Sequence, residues 1–203
     1  VFHLAAQALV RPSYVDPLTT FKTNVMGTAN VLEVSRQTAS VKAVVNVTSD
    51  KCYENKEWLW GYRENDPMGG HDPYSASKGC AELVTASYQK SFYKQEKALA
   101  SARAGNVIGG GDWSQDRLLP DIVTAAVEQK PVKIRNPLAT RPWQHVLDPL
   151  SGYLSLGQQL LQGNTAFNEG WNFGPDHFSN VTVEHLVKAA QIHWNANVGT
   201  LKN

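Results

Sequence analysis

The sequence predicts an α/β protein built on a parallel sheet. Short apolar, β-branched segments alternate with longer segments of helical period, joined by short turns. One of them, VKAVVNV at residues 41–47, is apolar on both faces, as a strand covered by helices on each side must be. The third observation is size and composition: 203 residues, 42% hydrophobic and 18% charged, suit an ordinary globular chain with one domain, or one domain and part of a second.

Taken in order, residues 1–6 read as a short buried-type strand. A helix starts at Asp16-Pro17, where aspartate caps and proline suits the first turn. It runs to Gln37 with a stripe of Phe21, Val25, Thr28/Ala29 and Leu32. Residues 41–47 form the second strand, followed by a long loop at 53–72 rich in Trp, Gly and charge. Residues 73–93 are a helix with Ala81, Val84, Tyr88 and Phe92 on one face, and 98–109 a third strand ended by Gly110, Gly111 and Asp112. Right-handed crossovers connect such units.

Beyond Gly111 the pattern changes. Residues 118–130 read as a helix and VKIRN (132–136) as a short strand. Apolar residues at Leu150, Tyr153/Leu154, Gly157 and Leu160/Leu161 make 148–162 a helix. Residues 171–174 read as another strand and 182–194 as a last amphipathic helix. A soft boundary falls near Gly110, dividing sheet elements (1–110) from a more irregular lobe (111–203) with some elements interleaved.

Charge and composition exclude several classes. A net charge of +1 gives no electrostatic track for nucleic acid and none for an anionic membrane surface. No apolar stretch approaches the roughly 20 residues of a membrane span. The two cysteines, Cys52 and Cys80, and the six histidines fall in no metal-ligand spacing, so no metal is expected, and a reducing cytoplasmic setting fits. The chain opens on VFHLAAQ, a strand already under way without an initiator Met, and stops just past a helix; both ends read as those of an internal piece of a longer protein.

Two short motifs bear chemistry. Thr48, Ser49, Asp50 and Lys51 end the second strand abruptly; alone they are also what turn chemistry puts where a strand stops. Tyr74 and Lys78, in YSASK, stand four apart and share one helix face. A tyrosine with its ordinary pKa of about 10 is a poor base, and a neighbouring ammonium favours the phenolate. Reaching neutrality takes about 3 units, or roughly 4 kcal/mol, from Lys78 and a cationic nicotinamide. YxxxK also occurs by chance on solvated helices, but this one opens a helix after a Gly-rich loop, a strand and a loop beyond VTSD.

HLAAQ, TNVMGTANVLE, VNVTSDKCYEN, DPYSASKGCAE, ARAGNVIGGGDW and RPWQHVLDPL, in this order, resemble the extended short-chain dehydrogenase/reductase family across essentially the whole chain. TSDKCYENKEWLWGYREND and RNPLATRPWQHVLDPL are the longer matches, and they resemble its CDP-glucose 4,6-dehydratase branch. The resemblance implies a partial Rossmann-type, doubly wound parallel sheet holding NAD, beside a smaller α/β lobe for the nucleotide sugar CDP-glucose. The family's glycine-rich fingerprint is missing here and is expected upstream of Val1. It further implies a homodimer packed through the Tyr-Lys helix and the helix at 16–37, supplying deoxysugars for cell-surface polysaccharide.

On these positions the resemblance makes Tyr74 the base for the sugar's 4-hydroxyl and Lys78 the residue that holds the nicotinamide ribose and keeps Tyr74 anionic. Asp50 matches the acid for the departing 6-hydroxyl, expected to be neutral through burial. Ser49, or Thr48, matches the hydroxyl that bonds the 4-oxygen. Lys51 stands where related dTDP-glucose enzymes carry Glu; crowded by Lys78 and the cofactor's charge it either removes the carbon 5 proton or only stabilises the enolate. Leu4, Ala5, Ala6, Asn24 and Thr48 match positions beside NAD, although the alanines also suit a core. Asn106, Arg117, Arg135 and Arg141 are the substrate candidates, guanidinium forks matching phosphate oxygens, Arg141 first. Trp58, Trp60 and Tyr62 either cover the sugar or pack their loop, and His145 reads as a packed histidine. A 4-epimerase of the same family, or an inactive NAD-binding scaffold, are the alternatives; Asp50 beside Lys51 argues against the first.

Overall fold

The computed structural model describes residues 1–93, 96–114, 116–132, 134–176 and 180–194. In chain order its elements begin with β1 (Phe2–His3), α1 (Val10–Val15), α2 (Pro17–Phe21), a π-helical turn (Lys22–Met26) and α3 (Gly27–Gln37). Then come β2 (Ala43–Val47), a 3₁₀ turn (Asp50–Cys52), α4 (Pro73–Phe92), β3 (Ala98–Ala104), β4 (Val107–Ile108) and α5 (Leu118–Val127). The last are β5 (Thr140–Pro142), β6 (Gln144–His145), α6 (Leu147–Leu161), β7 (Gly170–Phe173), β8 (Asn180–Thr182) and α7 (Val183–His193). No helix among the described residues is long and apolar enough to cross a membrane.

The first unit, Val1–Gly105 with Pro149–Phe173, carries a four-stranded sheet in the order β1-β2-β3-β7, parallel throughout. Its two faces are covered differently. Ala43, Val45, Ala98, Ala100, Ala102 and Ala104 pack against Tyr153, Leu156 and Leu160 of α6. Small residues let that helix lie close: a Cβ on Gly152 would stand 2.3 Å from the Phe173 ring, and one on Gly157 2.7 Å from Phe2. On the other face Val44 and Leu99 pack with Leu32 and Tyr93. Helices on both faces make the sheet doubly wound.

Along β2 and β3 the positions facing α4 change character toward the carboxyl ends. Val44 is followed on that face by Asn46 and Thr48, and Leu99 by Ser101 and Arg103. All are buried, so each polar group must find a partner, and α4 supplies them. Asn46 donates to the Thr85 hydroxyl at 2.8 Å. The face of α4 turned inward is correspondingly polar: Tyr74, Ser75, Ser77, Lys78, Gly79, Ala81, Glu82 and Thr85 are its buried residues. The expected apolar stripe fails at Phe92, which is 53% exposed. The helix at 16–37 departs in the same way. It divides into α2, a π turn and α3, and its buried line is Thr20, Asn24, Thr28, Leu32 and Ser35 instead of Phe21 and Val25.

The second unit is Asn106–Asp148 with Gly174–Asn203. The contacts therefore return α6 and β7 to the sheet, where the expectation set one boundary near Gly110. Strand β3 ends at Ala104, and Val107–Ile108 pairs with β6 in a separate two-stranded ladder. A second ladder, antiparallel, joins β5 to β8. Ile122, Ala125, Ala126, Val132, Ile134 and Val187 form this unit's apolar cluster. No strand occurs among the described residues of VKIRN, whose apolar side chains are buried without ladder pairing. The predicted last helix is α7; residues 195–203 lie outside the described residues.

Candidate active site

The start of α4 is fixed by its cap. The Asp72 carboxylate accepts from the Ser75 amide at 2.9 Å and from its hydroxyl at 2.6 Å, with Pro73 in the first turn. The Tyr74 amide, which the helix leaves unpaired, donates to the Ser13 hydroxyl at 3.1 Å. Tyr74 and Lys78 are both buried, 9% and 6% exposed. No hydrogen bond or ion pair reaches the Lys78 ammonium among the described residues. Burial pushes Lys78 down to about 8, against the opposing field of the Glu82 carboxylate. His3, at the end of β1, is also held below its ordinary value by burial and by the Lys78 charge.

The TSDK segment stands at the carboxyl end of β2. Thr48 still extends the ladder, its amide donating to the Ala102 carbonyl at 2.8 Å. Ser49 then caps the 3₁₀ turn, accepting from the Lys51 amide at 3.2 Å and donating to Asp50 Oδ1 at 3.1 Å. Lys51 Nζ lies 3.4 Å from Asp50 Oδ2. The Asp50 side chain is 32% exposed and that of Lys51 42%. Burial around Asp50 and cationic crowding around Lys51 were the sequence expectations; here the two are partly exposed and face each other. The turn packs directly on α4. A Cβ on Gly79 would stand 3.2 Å from the Cys52 carbonyl, which itself accepts from the Gly69 amide at 2.8 Å. Burial raises the Cys52 thiol far above its usual range, so it is inert.

Asn24 joins a third segment to this edge. Its Nδ2 donates to the Ser77 hydroxyl at 2.8 Å and to the Gln7 carbonyl at 3.0 Å, while Oδ1 accepts from the Gln7 amide at 2.8 Å. The stretch after β1 is thereby pinned, with Leu4 and Ala5 exposed and Ala6 half-buried.

Sequence reasoning missed two charged residues behind the site, Glu82 and Arg103. Glu82 Oε2 accepts from Arg103 Nη2 and from the Ser101 hydroxyl, both at 2.7 Å, and Oε1 accepts from the Thr48 hydroxyl. Arg103 Nη1 donates to the Tyr53 hydroxyl at 2.7 Å and the Glu64 carbonyl at 2.9 Å. Tyr53 OH donates to Asn172 Oδ1 at 2.7 Å. The signals were available: Glu82 repeats the Lys78 spacing by four, and Arg103 is the one charge inside a strand of alanines, a leucine and a serine. Thr48, expected beside the cofactor, gives its hydroxyl hydrogen to this cluster. The loop aromatics pack on one another, with Tyr53 stacked on Tyr62 at 5.2 Å and Trp58 at 5.3 Å from Tyr62.

The substrate candidates belong to the second unit. Arg117 pairs with Asp112 at 2.8 Å and Arg135 with Asp116 at 3.6 Å. Arg141 is exposed, its Nη1 donating to the Thr140 carbonyl at 2.7 Å. The Asn106 carbonyl accepts from the Gln144 amide at 3.0 Å, which opens the β4–β6 ladder. His145, expected to be packed, is exposed.

The residues at the sheet edge fit a dinucleotide. A buried ammonium that no hydrogen bond reaches among the described residues, a buried phenol one turn before it, and small or exposed residues after β1 give such a ligand polar groups beside room for close approach. A doubly wound parallel sheet with a Tyr-x-x-x-Lys helix against its carboxyl edge is the architecture of extended short-chain dehydrogenases/reductases. The family model described as GDP-mannose 4,6 dehydratase matches residues 1–202, and the chain belongs to that family. It is 55% identical to the CDP-glucose 4,6-dehydratase of Salmonella typhimurium, over 99% of this chain and 58% of that enzyme. Identity to a dTDP-glucose 4,6-dehydratase of Streptomyces griseus is 29%, over 97% of this chain and 57% of the relative. The chain thus spans somewhat under three fifths of these two relatives. A dTDP-glucose 4,6-dehydratase from Streptomyces venezuelae, solved with NAD, shares the fold at TM-score 0.81 and 22% identity, over 99% of this chain and 59% of that one. An epimerase from Methanothermobacter thermautotrophicus shares it at 0.86 and 23%, over 100% and 59%.

Proposed function

We propose that this chain is the catalytic part of an NAD-dependent CDP-glucose 4,6-dehydratase, a hydro-lyase that forms CDP-4-keto-6-deoxyglucose. One observation carries the reading: α4, which buries Tyr74 and Lys78, packs on the Asp50–Cys52 turn that Ser49 caps. The 55% identity to the Salmonella dehydratase supports the choice of substrate.

Tyr74 takes the proton of the sugar's 4-hydroxyl, and Lys78, buried beside it, supplies the positive field that favours the phenolate. NAD, when bound, accepts the electron pair from carbon 4 and returns it at carbon 6; Leu4, Ala5, Ala6, Asn24, Thr48, Tyr74 and Lys78 are the residues set to hold it. Ser49 donates to the 4-oxygen, the ketone acidifies carbon 5, and Lys51, having passed its own proton to the adjacent Asp50, receives the carbon 5 proton as a neutral amine. Asp50 delivers a proton to the departing 6-hydroxyl, so that water leaves. Asn106, Arg117, Arg135 and Arg141 take the nucleotide, the two paired arginines exchanging Asp112 and Asp116 for pyrophosphate oxygens.

The reading includes a homodimer in a cytoplasmic setting. Leu18, Val34 and Leu83, 81%, 65% and 62% exposed on α2, α3 and α4, supply apolar surface for a second copy. Incubating the complete enzyme with CDP-glucose and NAD tests the function: the alkaline absorbance of a 4-keto sugar is expected. A new hexose without that absorbance means a 4-epimerase, and an unchanged substrate means a scaffold.

A further inference from the structure

We infer that Glu82 and Arg103 form a buried clamp that holds both flanks of the Ser49–Asp50–Lys51 turn against the Tyr74–Lys78 helix, acting as positioning residues for the reaction. The inference deepens the dehydratase reading and rests on it for its kinetic arm.

The geometry is specific. Glu82 stands one turn beyond Lys78 on α4, 4% exposed, and grips Thr48, the residue just before Ser49. Arg103, 7% exposed, grips Tyr53, the residue just after the 3₁₀ turn. The two clamp residues meet at 2.7 Å, so one ion pair closes a loop around the four intervening positions, Ser49 to Cys52. Through Tyr53 and Asn172 the same hold reaches β7, and Asn172 Nδ2 donates to the Tyr62 carbonyl at 2.9 Å in the loop beyond.

Stability alone does not account for this arrangement. A buried ion pair recovers its desolvation cost only with full hydrogen bonding, and an apolar pair of the same volume is often as stable. Here the recovery is incomplete, since Arg103 Nε is buried without an acceptor among the described residues. What the pair adds is a fixed geometry that an apolar contact cannot specify. The backbone also makes room for it: a Cβ on Gly170 would stand 2.2 Å from Arg103 Nη2.

Two variants of the complete enzyme, Glu82→Gln and Gly170→Ala, attack the clamp from opposite ends. Hydrogen exchange followed by mass spectrometry reads the result without turnover. Exchange in the peptide covering residues 47–54 is expected to rise about tenfold in both, with α3 unchanged. In parallel, kcat for the 4-keto product is expected to fall at least about tenfold at a KM within about twofold, because misplacing a catalytic group costs rate more than binding. Unchanged exchange at 47–54, or a rise matched in α3, overturns the clamp. Failure of the wild type to convert CDP-glucose overturns the dehydratase reading alone, and the exchange arm still decides the clamp.

Discussion

The Asn24 carboxamide donates to the Ser77 hydroxyl at 2.8 Å, across 53 positions of sequence, inside the helix that carries Tyr74 and Lys78. Ser77 passes the bond on to the Tyr74 carbonyl at 2.7 Å. The π-helical turn around Asn24 and the first turns of α4 are therefore one hydrogen-bonded body. The backbone of Gln7 is tied to it through the other two Asn24 bonds.

Asn24→Ala removes all three bonds and leaves the Gln7 amide and carbonyl without their partner. An unsatisfied buried group costs about 1–3 kcal/mol. The variant is expected to lose about 2–4 kcal/mol, read as a lowered urea midpoint at unchanged slope. Affinity for NAD, measured by calorimetry, is expected to fall as well, since the residues after β1 lose their anchor.

Lys78→Met is expected to do the opposite to stability. The folded-state value of about 8 lies below the ordinary lysine value, so the unfolded chain binds more protons between them. Stability therefore rises as pH climbs through that window, and below about 8 the full penalty stands, roughly 3 kcal/mol at 1.36 kcal/mol per unit. Methionine removes the charge and keeps the stem. The unfolding free energy from urea titration at neutral pH is expected to rise by about 2–3 kcal/mol, a gain that disappears near pH 10.5, while product formation is lost.

The same lysine reports on its neighbour. The Glu82 carboxylate raises the Lys78 value, against burial. In Glu82→Gln the Lys78 midpoint is expected to drop below that of the wild type, followed through its ¹³Cε resonance. An unmoved midpoint means that the two groups do not sense each other.

Much of this edge was legible in the sequence because its signals are local. YSASK announces a capped helix with two functional groups on one face, and VTSDK announces a strand end. The parallel sheet followed from β2, whose residues Ala43–Asn46 are buried on both faces. What escaped was the polar lining. Periodicity looks for apolar stripes, whereas α2–α3 and α4 bury Thr20, Asn24, Ser77, Lys78 and Glu82, and all of these but Lys78 bond to residues elsewhere in the chain. Arg103 looked like an interruption of a strand until its partner on α4 was known. The unit containing Asn106 was least readable: its strands are two or three residues long, too short for a period to appear.

Asp50 and Lys51 separate by isotope exchange. Both side chains are partly exposed, so Asp50→Asn and Lys51→Met are expected to change stability by no more than about 1 kcal/mol. Removing a general acid or base typically costs about 10²–10⁴ in rate, and each variant is expected to lose product formation within that range. In D₂O the two diverge. Without Asp50 the carbon 5 proton still leaves once the 4-ketone exists, so deuterium enters carbon 5 of recovered substrate while elimination stalls. Without Lys51 neither deuterium incorporation nor elimination proceeds at the wild-type rate. Incorporation at full speed in Lys51→Met assigns the proton to another base and leaves Lys51 the role of steadying the enolate from its position beside Asp50.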